Sequence, residues 1–367
     1  MRTIKKKIIF GITSLTFGGA ERVLVDICNE LKNEYDITIF SLYGNGGLEK
    51  QLDKDIKFES IYNKSFNELN KVEKISFSLR LMFFKKSIYK KYVKRDYDVE
   101  IAFLEGPITR LFSAKNNNVQ KIAWVHNDIK LVFGQGIKAK IKSLIDKNVY
   151  DKYNKIVFVT KDNKKSFEDV YNLNNNKYVI YNYLNQDEVI RKSEQPIEKL
   201  SDNLNFVTVS RLVEQKAIDR LVKVHSKLIK DGYKHNFYII GDGPMKNEIQ
   251  ELINSNNINN TFILLGQKEN PYPYIKAADY FCLFSYFEGY PMVLEEAKTL
   301  NKFILITDTA ARENLQNYSN SIIAENNESG IYDTIKNVLE NNIRVNQNMK
   351  YKNDEILLKI KQLIEEK

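Results

Sequence analysis

Cysteine is nearly absent from this chain, with Cys28 and Cys282 the two found in 367 residues, far apart in sequence. Cys28 falls in an apolar helical pattern and Cys282 in the run Tyr280-Phe281-Cys282-Leu283-Phe284. Both read as core thiols, so neither a disulfide framework nor a cysteine metal site is expected, and a reducing cytoplasm is the natural compartment. No run of about 18 apolar residues occurs, so no membrane-spanning helix is expected. Lys5-Lys6-Lys7, the run Ile8–Phe17 and Gly18-Gly19-Ala20 imitate a signal peptide. That apolar run is short and broken by Thr13, Ser14 and Thr16, so it reads as a buried strand, a glycine turn and a helix. No G-x-G-x-x-G follows the strand, since Gly11 and Gly18-Gly19 are wrongly spaced, which disfavours an NAD-dependent enzyme. No internal repeat of 20–50 residues is present.

What the chain does have is length for two domains, 43% hydrophobic residues to give each a core, and a net charge of +9 with a pI of about 9.1. The charge favours a polyanionic partner: nucleic acid, an anionic membrane or nucleotide phosphates. Short apolar runs alternate with helical patterns throughout. Lys7–Thr13, Asp36–Leu42, Val99–Leu104, Lys121–Val125, Lys155–Thr160 and Tyr178–Tyr181 form a first series of expected strands. Phe206–Ser210, Phe237–Gly241, Phe262–Leu265, Tyr280–Phe284 and Phe303–Thr307 form a second. Helices are expected between them, such as Ala20–Lys32 and Ile218–Lys230. Near-continuous apolar strands imply parallel sheets covered on both faces, and two series imply two doubly wound α/β domains. The expected division is 1–190, then 204–342, with 343–367 a helix returning to the first domain through Ile356, Leu357, Ile360 and Ile364. The polar stretch Leu184–Asn203 is the expected boundary, and the Asn116–Asn118 and Asn174–Asn176 runs read as surface loops.

The stretch Ser285–Ala297 carries the most chemistry. Glu288 precedes an expected helix and Glu296 lies inside it, with seven residues between them and Pro291 suited to the first helical position. Free N–H groups and the positive end of the helix dipole suit a phosphate, and carboxylates suit hydroxyls. A buried strand followed by a surface helix with two solvated glutamates explains the same residues. Four segments accompany it. Phe17-Gly18-Gly19-Ala20-Glu21-Arg22 leaves strand one for a helix, with glycines that admit a close ligand. Val209–Lys216 offers Arg211 as a planar phosphate fork and Lys216 as a mobile charge. Ile240-Gly241-Asp242-Gly243-Pro244 reads as a structural turn, and Trp124-Val125-His126-Asn127-Asp128 places a histidine at a strand's carboxyl end. Solvated surface charges and a satisfied structural histidine are the bland readings of the second and fourth.

In this order and spacing the segments resemble the retaining glycosyltransferases of the two-Rossmann-domain (GT-B) type, family 4, which build bacterial polysaccharides and glycolipids. The likeness covers nearly the whole chain and is strongest from Asn205 to Asn314. It implies two Rossmann-like domains facing across a cleft. It implies that Arg211 and Lys216 bind the donor diphosphate, that Glu296 holds ribose hydroxyls and that Glu288 contacts the donor sugar. By the same likeness, backbone N–H groups of Gly289, Tyr290, Met292 and Val293 line the pocket, Gly18 and Gly19 face the diphosphate, and His126 lies near the donor sugar. The sequence departs from the family where Ala217 replaces a frequent glycine, and where Thr307–Glu313 lacks the glycines usual in that loop. The expected reaction moves a sugar, with retained configuration, from a nucleoside diphosphate, UDP in the first instance, to a saccharide or lipid-linked acceptor. Metal independence is expected, because no Asp-x-Asp stands at a plausible strand end. A sugar-nucleotide epimerase of the same fold is an open alternative. A nucleic-acid-binding protein is another, although no RNA- or DNA-binding module signature is present. Arg80–Arg95 interleaves apolar residues with seven basic ones and, with Ile137–Lys142, suggests contact with an anionic membrane on its cytoplasmic face. A covering helix packed on the sheet is the competing account of that stretch.

Overall fold

The computed structural model describes residues 5–94, 96–114, 119–130, 137–345 and 353–366, without the side chains of Ser78 and residues 137–142. Asn116–Asn118, Arg95 and the side chains of Ile137–Lys142, all read above, lie outside the described residues. The chain divides into two compact units, Met1–Tyr183 with Asn353–Lys367, and Leu184–Lys352.

In the first unit β1 (Lys7–Ser14), β2 (Asp36–Tyr43), β3 (Lys57–Tyr62), β4 (Val99–Ala102), β5 (Gln120–Val125), β6 (Lys155–Phe158) and β7 (Asn176–Val179) form one sheet. Its order is β3-β2-β1-β4-β5-β6-β7 and every pairing is parallel. Parallel neighbours need crossovers, and the helices that supply them bury both faces. The helix Gly19–Leu31 does so through Val23, Ile27 and Leu31, which recur at helical spacing. The terminal helix Asp354–Glu365 belongs to this unit. It buries Ile356, Ile360, Leu363 and Ile364, and it is bonded by Lys6 Nζ to the Ile364 carbonyl at 2.9 Å and by Lys155 Nζ to the Leu363 carbonyl at 3.0 Å.

In the second unit β8 (Leu204–Val209), β9 (His235–Ile240), β10 (Phe262–Gly266), β11 (Tyr280–Leu283), β12 (Phe303–Thr307) and β13 (Ser321–Ala324) pair in parallel in the order β10-β9-β8-β11-β12-β13. Alternate residues feed opposite cores: Phe206, Cys282 and Leu305 on one face, Val207, Phe281 and Ile304 on the other. In each sheet the chain adds strands outward on one side and then restarts on the other, so the order reverses between β1 and β4 and between β8 and β11. Crevices at such reversals are where open α/β sheets hold ligands.

The polar stretch read as a boundary contains a helix, Gln186–Ser193, capped by Asn185, whose side chain accepts the Glu188 N–H at 3.0 Å. Val189 is fully buried in the second unit, and Asn270 donates to the Lys192 carbonyl at 2.9 Å. Composition hid this helix because a single apolar residue carries its packing. Residues 343–345 stay with the second unit: Ile343 and Val345 pack on its core, and the Tyr280 hydroxyl donates to the Ile343 carbonyl at 2.6 Å. The strands β3 and β13 are edge strands without a continuous apolar run, so the sequence did not announce them.

Candidate active site

The two segments that flank the reversal in the second sheet meet side by side. The Ser210–Lys216 loop leaves β8 and the Phe284–Pro291 loop leaves β11. They are zipped by the Tyr286 N–H to the Gln215 carbonyl and by Gln215 Nε2 to the Phe287 carbonyl, both 2.9 Å. This brings Lys216 Nζ to 2.5 Å from Glu288 Oε1, and the Ser285 hydroxyl donates to the same oxygen at 2.5 Å. The side chains of Lys216 and Glu288 are 18% and 6% exposed. Among the described residues, Oε2 of Glu288 has no bonding partner. Arg211, in the same loop, is exposed, with no hydrogen bond or ion pair to its guanidinium among the described residues. One cation is thus held against a carboxylate and the other left in solvent.

Both loops rest on a buried scaffold that sequence reasoning missed. Arg220 lies beneath the second loop, donating to the Phe284 carbonyl at 2.7 Å and to Asn326 Oδ1 at 2.9 Å, with its guanidinium 4.4 Å from the Tyr286 ring centroid. Thr307 donates to the Ser285 carbonyl at 2.6 Å. The first loop is held by backbone: Ser210 N–H to the Ile240 carbonyl at 2.9 Å and Leu212 N–H to that of Asp242 at 3.0 Å. The approach leaves no room at Gly241, whose φ is +143° and where a Cβ would run into the Ser210 carbonyl. The Gly241–Pro244 turn therefore positions Arg211 and Lys216. Ala217 adopts φ 51° and ψ 37°, the left-handed region that glycine would occupy without strain.

The helix Met292–Thr299 starts one residue later than expected, with Pro291 as the flanking residue at its N-terminus and no side-chain cap on its first turn. Its N-terminal end is set by buried polar contacts. The Tyr290 hydroxyl, Lys298 Nζ and Asn314 Nδ2 all donate to Glu295 Oε1, at 2.8, 3.0 and 2.8 Å. Tyr290 therefore turns its side chain inward. Glu296 is 8% exposed and accepts the Tyr272 hydroxyl at 3.1 Å, so it is anchored, not a freely leaning surface carboxylate.

In the first unit, Gly18 flanks the helix that opens at Gly19, on the carboxyl side of β1. The Glu21 carboxylate folds over Gly18, where a Cβ would collide with it. Burial raises the Glu21 carboxyl above its ordinary range, opposed by bonds from its own N–H and the Thr16 hydroxyl. The positive end of this helix is already partly answered by an internal acid. His126 follows β5 and is 8% exposed. Burial pushes its imidazole down to about 3, against a smaller upward pull from a bond to the Phe103 backbone. Sequence reasoning also missed Glu105, after β4, which accepts the His126 N–H at 3.0 Å. Among the described residues, no group of three or more His, Cys, Asp or Glu side chains is placed to hold a metal ion.

Residues 189–356 match the family model described as glycosyl transferases group 1. An uncharacterized glycosyltransferase of Methanocaldococcus jannaschii is 33% identical over 206 residues, 54% of this chain and 51% of that protein. A Campylobacter jejuni N-acetylgalactosamine-N,N'-diacetylbacillosaminyl-diphospho-undecaprenol 4-alpha-N-acetylgalactosaminyltransferase is 26% identical over 344 residues, 90% of this chain and 89% of that protein. In fold, the chain is similar to Anabaena HepE, solved in complex with UDP-glucose, with a TM-score of 0.71 at 15% identity over 98% of both chains. Two Rossmann-like units of seven and six parallel strands thus share the GT-B architecture, and residues 189–356 are similar to glycosyl transferases group 1.

Proposed function

We propose that the protein transfers a sugar, with retained anomeric configuration and without a metal ion, from a UDP-sugar to a saccharide or lipid-linked acceptor in bacterial cell-surface polysaccharide synthesis. The observation that carries this reading is the pairing of Lys216 with Glu288 across the two loops at the sheet reversal, 2.5 Å apart, with Arg211 beside them. As the bond to the diphosphate breaks, negative charge grows on the leaving oxygens. Arg211, Lys216 and the uncapped N–H groups from Met292 onward would stabilise it where a divalent cation otherwise would. Lys216 would exchange its carboxylate partner for a phosphate, which frees Glu288 Oε1 for a sugar hydroxyl. Glu296, held by Tyr272, would take ribose hydroxyls. UDP is favoured because HepE was solved in complex with UDP-glucose, and a lipid-linked acceptor because the Campylobacter relative's name contains diphospho-undecaprenol. Attack by the acceptor hydroxyl on the face that the diphosphate leaves, with the departing phosphate oxygen taking the hydroxyl proton, is favoured over double displacement, since Glu288 would be engaged with a sugar hydroxyl.

The test is UDP-sugar turnover with EDTA present. Arg211→Ala and Lys216→Ala should each lower kcat by about 10²–10³-fold, with the thermal midpoint unchanged in Arg211→Ala and lowered in Lys216→Ala, which leaves the buried Glu288 carboxylate without its cation. Normal turnover in both variants would remove the diphosphate assignment.

Peripheral contact with an anionic membrane belongs to the same proposal. Among the described residues no helix is long and apolar enough to cross a bilayer. The helix Lys71–Tyr92 supports contact of another kind. It buries Phe77, Leu81 and Ile88 against the first core. Its opposite stripe, Val72, Ile75, Leu79, Met82 and Phe83, is between 50% and 75% exposed. Exposed Lys86, Lys90, Lys91 and Lys94 follow. An apolar stripe continued by cations fits an anionic lipid surface.

A further inference from the structure

His126 sits on a turn whose backbone is clamped from both sides. Its N–H donates to Glu105 Oε2 at 3.0 Å, and its carbonyl accepts Asn163 Nδ2 at 3.1 Å. The other Glu105 oxygen accepts the side-chain amide of Asn127. Asp128, next in the turn, accepts the Ser166 hydroxyl at 2.5 Å and the Lys130 N–H at 2.8 Å. The turn is therefore over-determined, and the residue it presents is the histidine. The ring packs on Phe103, centroids 4.9 Å apart, and bonds the Phe103 backbone. Nε2 is buried and has no partner among the described residues. A ring nitrogen bonded to a carbonyl carries the proton, so Nε2 carries the lone pair. A buried acceptor left unpaired carries an uncompensated desolvation cost, and a ligand hydroxyl would satisfy it. Burial keeps the imidazole neutral, so this nitrogen accepts a proton bond and does not donate one.

We propose that Glu105 is a positioning residue for the sugar-bearing substrate: it locks the His126–Asn127 turn so that the His126 Nε2 lone pair meets a substrate hydroxyl. The proposal rests on the transferase reading and adds to it. Glu105 touches no reacting atom; it acts through His126. Glu105→Gln preserves shape and one acceptor but sets an NH2 group against the Asn127 amide, which a two-sided acceptor does not.

The experiment compares wild type, Glu105→Gln and Asn127→Ala in two ways. Two-bond nitrogen–proton correlation reports the His126 tautomer, and steady-state kinetics with a UDP-sugar separates KM from kcat. The expected result is a single tautomer protonated at Nδ1 in the wild type, with a second tautomer in Glu105→Gln. KM is expected to rise about 10-fold, the size of one lost hydrogen bond, with a smaller change in kcat. Asn127→Ala, which keeps the His126 N–H bond, should show the same trend more weakly; if Glu105→Gln does not fold, a wild-type spectrum and KM in Asn127→Ala overturn the proposal. An unchanged spectrum and KM in Glu105→Gln overturns it, as does a fall in kcat at constant KM, which marks Glu105 as a structural support. If the wild type transfers no sugar, the transferase reading fails, while the tautomer spectra still decide whether Glu105 sets the ring.

Discussion

Single residues set the charge at this site by pairing it before any ligand arrives. Lys216 and Glu288 satisfy each other, Glu295 collects three donors, and Glu296 is held by Tyr272. Paired groups keep fixed geometry, which is what a charged substrate needs, because little has to reorganise when it binds. Their residue types were readable from the sequence; their partners were not, since Lys216 and Glu288 lie 72 positions apart. Among the described residues, Ala217 is the one left-handed residue that is neither glycine nor asparagine. Its left-handed backbone costs about 1–2 kcal/mol in alanine, and glycine would lose about 0.4–1 kcal/mol of that through the unfolded chain. Ala217→Gly should therefore raise the denaturant midpoint modestly, by the equivalent of about 0.5–1 kcal/mol. A lowered midpoint would mean that the methyl group, buried at 1% exposure, contributes more packing than its backbone costs.

Among the elements, the central strands and the long amphipathic helices were legible. Five or six apolar residues in a row bounded by turns leave few alternatives to a buried parallel strand, and Ile218–Lys230 begins and ends where its pattern does. The missed elements share one physical trait: little apolar surface. The edge strands β3 and β13 and the helix Gln186–Ser193 each pack through a few side chains. Lys71–Tyr92 fails in the opposite way, with apolar residues on both faces, so its period alone cannot say which face is covered. Tyr89 is bonded to Glu100, itself 2.9 Å from Lys121, and this fixes the inward face. Met82→Ser with Phe83→Ser should reduce flotation with anionic vesicles at high salt, where charge is screened and apolar insertion remains. Thermal stability should hold, because neither side chain is in the core. Wild-type flotation by the double variant would assign the membrane contact to charge alone.

For the whole molecule, three buried histidines tie stability to pH. His126 is pushed down to about 3 and His235 to about 4, and His225 lies well below its ordinary value, each by burial first. His225 and His235 bond each other at 2.9 Å and cannot both be charged there. Folded values below the unfolded value of about 6.5 mean that the unfolded chain binds protons first as pH falls. Stability is fully present above about 6.5 and declines below it, toward the folded values. Urea midpoints should fall between pH 7.5 and 5.5 by the equivalent of about 1 kcal/mol for each histidine; a flat profile would contradict the buried neutral pair. The amino-acid order by itself determined two doubly wound units, the loops that leave their strands and the residue types at those loops, because strand periodicity and turn chemistry are local. The tertiary structure alone decided which charges neutralise which, that Glu21 and Glu105 stand beside the expected ligand residues, and which face of a two-sided helix stays open. Those outcomes depend on distances between positions remote in sequence, and no local pattern encodes them.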